Sequence, residues 1–193
     1  MIIKFRSTKP YDVALIRKMA KQSIKEGAVT KDYSLDINEA CKLLNEALAT
    51  EILCVLRYRH HQIIAKGIDY AEVAAEFEEH AKQEEMHMLM IAERINQLGG
   101  NPDFNPATIL ERSATEYGSH TSLVEMIKED LIAERIVITI YRKLIEWFGA
   151  EDPTTRRMLE NILEDEEDHA DDLADFLLLQ IQLLLAMNNL LVC

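Results

Sequence analysis

Residues 84–87 read Glu84-Glu85-Met86-His87, and residues 166–169 read Glu166-Glu167-Asp168-His169. In each, a Glu and a His stand three residues apart. On an α-helix that spacing makes them neighbours on one face, so both can reach a single metal ion. One such match is weak, since 22 Glu and six His supply roughly 0.7 of a Glu-x-x-His by chance. The register around the two copies gives them meaning. Laying Glu84 on Glu166 also aligns Glu85 with Glu167, His87 with His169 and Ala92 with Ala174. Laying Glu51 on Glu134 aligns Glu46 with Glu129, Leu48 with Leu131, Tyr58 with Tyr141 and Arg59 with Arg142. Glu51 precedes Glu84 by 33 residues and Glu134 precedes Glu166 by 32. Two copies of a helix pair therefore bring four helices to one level of a pseudo-two-fold site.

Period and punctuation outline those helices. The first is expected from about Asp36, a candidate N-cap, to Lys66, with Gly67 as its stop. The second is expected from about Tyr70 to Leu98, ending at Gly99-Gly100. After a break containing Asn101-Pro102 and Asn105-Pro106, the pattern Ser122-Leu123-Val124-Glu125 opens the third as a capping box, and Gly149 closes it. The fourth starts at Asp152-Pro153, with Pro at the first helical position, and is expected to reach about residue 180. Helices of this length predict a bundle roughly 40 Å long. The longest connection lies between the second and third helices, where a crossover along the bundle lets those two run parallel.

Burial gives the six site positions a common chemistry. Glu51 sits among Leu48, Ile52, Cys54 and Val55, and Glu134 among Leu131, Ile132, Val137 and Ile138, so both carboxylates face or border the core. A buried carboxylate without a counter-charge costs several kcal/mol or takes up a proton. Two divalent cations would balance Glu51, Glu84, Glu134 and Glu166, with His87 and His169 as neutral ligands. Mixed carboxylate and imidazole ligation with open positions suits iron or manganese better than a closed structural zinc site.

At 193 residues and 48% hydrophobic, the chain is long enough for one core and is expected to be a single globular unit. It lacks an apolar leader with a cleavage site and any run of eighteen apolar residues, which predicts a cytoplasmic protein with no membrane association. Cys41, Cys54 and Cys193 are odd in number and far apart, which argues for reduced thiols. The net charge is -13, yet residues 1–31 carry eight Lys or Arg (Lys4, Arg6, Lys9, Arg17, Lys18, Lys21, Lys25, Lys31) against Asp12 and Glu26. The acidic body repels nucleic acid and attracts cations. The basic arm has Val13, Ile16, Met19 and Ala20 at helical spacing, which predicts a helix docked on its own protein rather than on DNA. The run from Leu177 to Cys193 is unusually apolar and is expected at a subunit contact or packed within a shell.

The set Glu51, Glu84-x-x-His87, Glu134 and Glu166-x-x-His169 resembles the di-iron ferroxidase centre of bacterioferritins and related ferritin-like proteins. The likeness extends through Asn45-Glu46-Ala47-Leu48-Ala49-Thr50-Glu51, Ile91-Ala92-Glu93-Arg94-Ile95 and Asp165-Glu166-Glu167-Asp168-His169-Ala170-Asp171-Asp172-Leu173. It implies an all-α, ferritin-like antiparallel four-helix bundle at residues 36–180, with a basic helical arm at 1–35 and an apolar extension at 181–193. By the same resemblance Glu51 and Glu134 are outer ligands and Glu84 and Glu166 bridge the metals. His87 and His169 complete one sphere each, and Tyr58 stands beside the centre. Two iron ions per subunit are implied, with manganese or zinc as substitutes. The implied activity is oxidation of Fe(II) by O2 or H2O2, with ferric mineral stored in a homo-oligomeric cage of twelve or twenty-four subunits. The family's haem is held by a Met directly after the second-helix Glu; Glu85 stands there, which predicts no haem. Met86, Met88 and Met90 are out of phase for that role. A dimanganese catalase or a rubrerythrin-type peroxidase would use the same ligands, though no Cys-x-x-Cys rubredoxin module is present. A Dps-like shell coating DNA through the basic arm is the other alternative; those proteins usually build the iron site between subunits.

Overall fold

The structure is a computed structural model that describes residues 9–25, 27–67 and 70–190. Lys4, Arg6 and Glu26 of the basic arm, and Cys193, lie outside the described residues. Six helices follow one another and no strand occurs among the described residues: α1 (Val13–Gln22), α2 (Ile37–Ile64), α3 (Ala71–Gln97), α4 (Ile109–Arg112), α5 (Leu123–Phe148) and α6 (Pro153–Leu190). The four long helices are α2, α3, α5 and α6. Their starts are chemically explicit. The Asp36 carboxylate accepts from the Asn38 and Glu39 amides at 2.8 and 3.2 Å, and Ser122 Oγ accepts from the Glu125 amide at 3.4 Å. The box expected at Ser122 is only half closed, because Glu125 turns to Lys128 at 2.7 Å instead. Asp152 accepts from the Thr155 amide and hydroxyl at 2.9 and 2.6 Å, and Pro153 opens α6. Gly149 ends α5 at φ +47°, a backbone region that side chains disfavour.

Side-chain pairs fix the directions. Tyr58 of α2 meets Glu134 of α5, while Glu51, seven residues earlier, meets Tyr141, seven residues later; α2 and α5 are antiparallel. Gln83 meets His169 and His87 meets Asp165, so α3 and α6 are antiparallel as well. The four-residue link at 149–152 makes α5 and α6 a hairpin, and α3 follows α2 closely in the chain. Residues 98–122 then form the expected crossover, with the short α4 inside it. Asn45 pins that crossover: its side chain donates to Asn101 O and accepts from the Asp103 amide, while Arg112 donates to Asn45 O and Asp103 O.

Two apolar clusters fill the bundle. One gathers Leu44, Leu48, Ile91, Ile95, Phe148 and Leu159; the other gathers Val73, Phe77, Met126, Ile127 and Leu173. The sequence-predicted site lies between them. Where α3 hands over to the crossover, a Cβ on Gly100 would stand 2.6 Å from Cys41 Sγ and 3.0 Å from Ile95 Cγ2. Gly100→Ala is therefore expected to cost about 1–3 kcal/mol through overpacking; a melting temperature equal to wild type would contradict this.

Two expectations meet a different outcome in the single chain. The arm is helical, capped by Asp12, but none of α1 is buried and Val13 and Ile16 remain exposed. The fourth helix does not end near 180 but runs to Leu190. Leu178, Leu179, Ile181 and Leu183 are exposed along it. Cys41 and Cys54 are free and buried. Among the described residues no helix is long and apolar enough to cross a membrane.

Candidate metal centre

Each of the four long helices delivers its carboxylate to the polar layer between the two apolar clusters: Glu51 from α2, Glu84 from α3, Glu134 from α5 and Glu166 from α6, all fully buried. One helical turn beyond Glu84 and Glu166 come His87 and His169, also buried. The six residues form two overlapping sets, Glu51, Glu84, His87 and Glu166, and Glu84, Glu134, Glu166 and His169. Glu84 and Glu166 belong to both. His87 Nδ1 lies 3.2 Å from Glu166 Oε1, 3.5 Å from Glu51 Oε2 and 3.9 Å from Glu84 Oε2. His169 Nδ1 lies 3.4 Å from Glu84 Oε1 and 3.6 Å from Glu166 Oε2. Metal bonds of about 2.0–2.2 Å separate neighbouring ligand atoms by this much.

Every other polar atom of the six residues is occupied from outside. Tyr141 donates to Glu51 Oε1 and Tyr58 donates to Glu134 Oε1. His87 Nε2 pairs with Asp165 Oδ2 at 2.9 Å and His169 Nε2 with Gln83 Oε1 at 2.8 Å. These contacts set both imidazoles with Nε2–H outward and Nδ1 inward. What remains is a set of eight buried atoms with no hydrogen-bond partner: Glu51 Oε2, Glu134 Oε2, both oxygens of Glu84 and of Glu166, His87 Nδ1 and His169 Nδ1. Buried polar atoms are nearly always satisfied. Eight convergent donor atoms, shared four and four, have the composition of a two-cation site.

Protons take the place of cations in the metal-free electrostatics. Burial pushes the Glu51 and Glu134 carboxyls well above the usual range, and repulsion from Glu84 and Glu166 adds to it. Burial would also raise Glu84, but the imidazoles of His169 and His87 outweigh it and hold that carboxyl below the usual range. Burial opposes charge on the two histidines and is overcome by Glu166 and its neighbours, so His87 is raised strongly and His169 is pushed up to about 10. Tyr58 and Tyr141 are held up by burial and by the carboxylates they serve, so both stay hydroxyl donors. The sign of the pH dependence follows. Glu51, Glu134, His87 and His169 hold protons that an entering dication must displace, so binding releases protons, tightens as pH rises and weakens as it falls. Zinc titration of the metal-free protein with a pH indicator measures this; an affinity unchanged between roughly pH 6 and 8 would contradict it.

Tyr58 stands where expected, and Tyr141 is its two-fold mate on the other outer carboxylate. Gln83 and Asp165 were not foreseen, although laying Glu84 on Glu166 places them at equivalent positions. Glu85, at the position of the haem-holding Met, lies at the surface 3.8 Å from Arg59, and Met86 beside it is exposed. Met88 and Met90 pack against the first apolar cluster.

The ferritin family, described as a ferritin-like domain, matches residues 41–180. The chain is similar to a nutrient stress-induced DNA-binding protein from Synechococcus sp., 31% identical over 145 residues that cover 72% of this chain and 81% of the relative. It is also similar to a bacterioferritin from Mycobacterium leprae, 29% identical over 146 residues, covering 75% of this chain and 87% of the relative. Among solved structures it resembles a dodecameric thioferritin, the bacterioferritin-related protein from Bacteroides fragilis. That structure is 28% identical, has a TM-score of 0.75 and covers 90% of this chain and 98% of its own.

Proposed function

Because the chain belongs to the ferritin-like domain family, we propose that each subunit oxidises ferrous iron at an intrasubunit two-metal centre and that a homo-oligomeric shell stores the ferric product. The observation that carries this reading is the set of eight partnerless buried donor atoms. Ferrous iron is the substrate, and a pair of ions supplies the two electrons that reduce O2 to H2O2 or H2O2 to water. Glu51, Glu84, His87 and Glu166 hold one ion; Glu84, Glu134, Glu166 and His169 hold the other. Four protein ligands per ion leave positions open for the oxidant. Tyr58 and Tyr141 fix the outer carboxylates, and Asp165 and Gln83 fix the imidazoles, so the ligands need little rearrangement. Outside the centre, the acidic body concentrates cations and gives hydrolysing Fe(III) oxygen ligands on which to collect.

Uncovered apolar surface supports the shell. Among the described residues, Val13, Leu15 and Ile16 on α1, Ile132 on α5 at 61% exposure, and Leu178, Leu179, Ile181 and Leu183 on α6 are exposed in the single chain. The dodecameric neighbour favours twelve subunits over twenty-four. The function is tested by adding Fe(II) to metal-free protein in the presence of O2 or H2O2. Rapid oxidation should be followed by co-elution of iron with a particle of about twelve chain masses. Ferric precipitate separate from the protein would refute storage. Peroxide disproportionation by a manganese-loaded form, without iron oxidation, would favour a catalase instead.

A second reading, a DNA-coating shell, is favoured by the exposure of Arg17, Lys18 and Lys21 on α1 and by the DNA-binding name of the Synechococcus relative. A gel shift lost on deletion of residues 1–31 would support it, and no shift at low salt would exclude it.

A further inference from the structure

The pseudo-two-fold axis that explains the centre fails one turn away from it. His80 lies four residues before Glu84 on α3 and is 1% exposed, yet both its ring nitrogens lack a hydrogen-bond partner. Its Nε2 faces Glu76 Oε1 at 3.3 Å, from the preceding turn of α3, and Asp172 Oδ2 at 3.8 Å, from α6. The alignment that superposes Glu84 on Glu166 sets Ile162 against His80, Met158 against Glu76 and Met90 against Asp172. Those counterparts are apolar, and all three belong to or pack against the first apolar cluster. At one end of the centre the fold thus fills this place with hydrocarbon, and at the other with an imidazole and two carboxylates. Burying an imidazole with neither nitrogen paired is unfavourable unless something else occupies it.

We propose that Glu76, His80 and Asp172 form a third divalent-cation site, a waiting position for ferrous iron beside the centre. One donor atom from each residue lies within 4.8 Å of the others, close enough to share one ion. The donors, one nitrogen and two carboxylate oxygens, are those that bind first-row dications in open sites. The site has an outer and an inner side. Glu76 is partly exposed and the Asp172 side chain is 54% exposed, whereas the His80 ring stacks on His169 with centroids 4.1 Å apart. Asp168, Asp171 and Asp175 flank Asp172 on α6 and add negative potential at the entrance. A cation arriving from water therefore meets Asp172 and Glu76 first, then His80, and then the ligand shell that contains His169. The site requires only these three side chains; its use for iron rests on the function proposed above.

Crystals of the metal-free full-length protein soaked in Zn2+, measured on both sides of the zinc edge, locate the ions directly. Wild type is expected to show anomalous density within bonding reach of His80 Nε2 as well as between the four central carboxylates. Glu76→Gln combined with Asp172→Asn, two substitutions that leave His80 packed, should lose the His80 peak and keep the central ones. Zinc at the centre with none at His80 in wild type would overturn the proposal, as would a His80 peak that survives the double substitution. A filled His80 site beside an empty centre would uphold the third site while refuting the two-metal reading, so the two claims fail separately.

Discussion

Glu84→Ala is expected to abolish rapid ferrous oxidation, lowering the initial rate by about a hundredfold or more, without unfolding the chain. Glu84 contributes an oxygen to both four-atom sets, so its loss opens both ions' coordination at once. His87→Ala removes one inward nitrogen and should have the same consequence for one ion. The effect on stability separates a site residue from a structural one. Glu84 is fully buried among three other carboxylates, and both its oxygens lack a hydrogen-bond partner in the metal-free protein. The His87 and His169 imidazoles hold its carboxyl ionised, so removing it leaves them short of a counter-charge, and the metal-free variant should melt somewhat below wild type while still folding cooperatively. The rise in melting temperature that metal gives wild type, by binding the folded state, should disappear. An unchanged initial oxidation rate would remove Glu84 from the chemistry, and a collapsed fold would make it a structural residue.

Arg57→Ala is expected to bring a much larger loss of stability. Arg57 Nε donates to Asp130 Oδ1 at 2.8 Å, and both side chains are completely buried. The guanidinium also donates to Glu116 O at 3.2 Å, and His61 Nδ1 lies 2.8 Å from the second Asp130 oxygen. This network ties α2 to α5 and to the crossover beside Tyr58 and one turn from Glu134. Breaking a buried pair from one side strands the other charge at about 3–5 kcal/mol, a fall in Tm of roughly 10 °C in a chain of this size. Replacing both partners by apolar residues, Arg57→Met with Asp130→Leu, should restore much of the loss. Thermal unfolding of the metal-free proteins measures both. A single variant that melts within a degree or two of wild type would contradict this account of the network.

How much of this was legible in the sequence depends on the range of each interaction. Helix starts at Asp36, Ser122 and Pro153 are local chemistry, in which a side-chain oxygen caps amides two or three residues ahead, and the structure places them as read. The six convergent residues were legible because a repeat at fixed register turns local spacing into a statement about four helices. Tyr141, Gln83 and Asp165 lay within reach of the same alignment, since each is the mate of a residue on the other helix pair. Arg57 and Asp130 are 73 residues apart and have no counterpart in the repeat, so no pattern joins them. The crossover is held by Asn45, 56 residues before the carbonyl it caps, and this too is invisible to local reading. The expected end of the fourth helix near 180 had no breaker behind it: no Gly or Pro follows Pro153, and the helix runs on to Leu190. The apolar face of α1 promised a dock, yet no residue of α1 is buried in the single chain.

The central claim is that eight inward-facing donor atoms exist to hold a pair of cations. It is tested most directly by counting Fe(II) bound per chain under anaerobic saturation, in wild type and in Glu84→Gln combined with Glu166→Gln. Comparing the two proteins cancels iron held elsewhere on the acidic surface. The account predicts that wild type binds two more ferrous ions per chain than the variant, with proton release in wild type alone. Equal counts would contradict it, because the four buried carboxylates would then be neutralised by their own protons and not by metal.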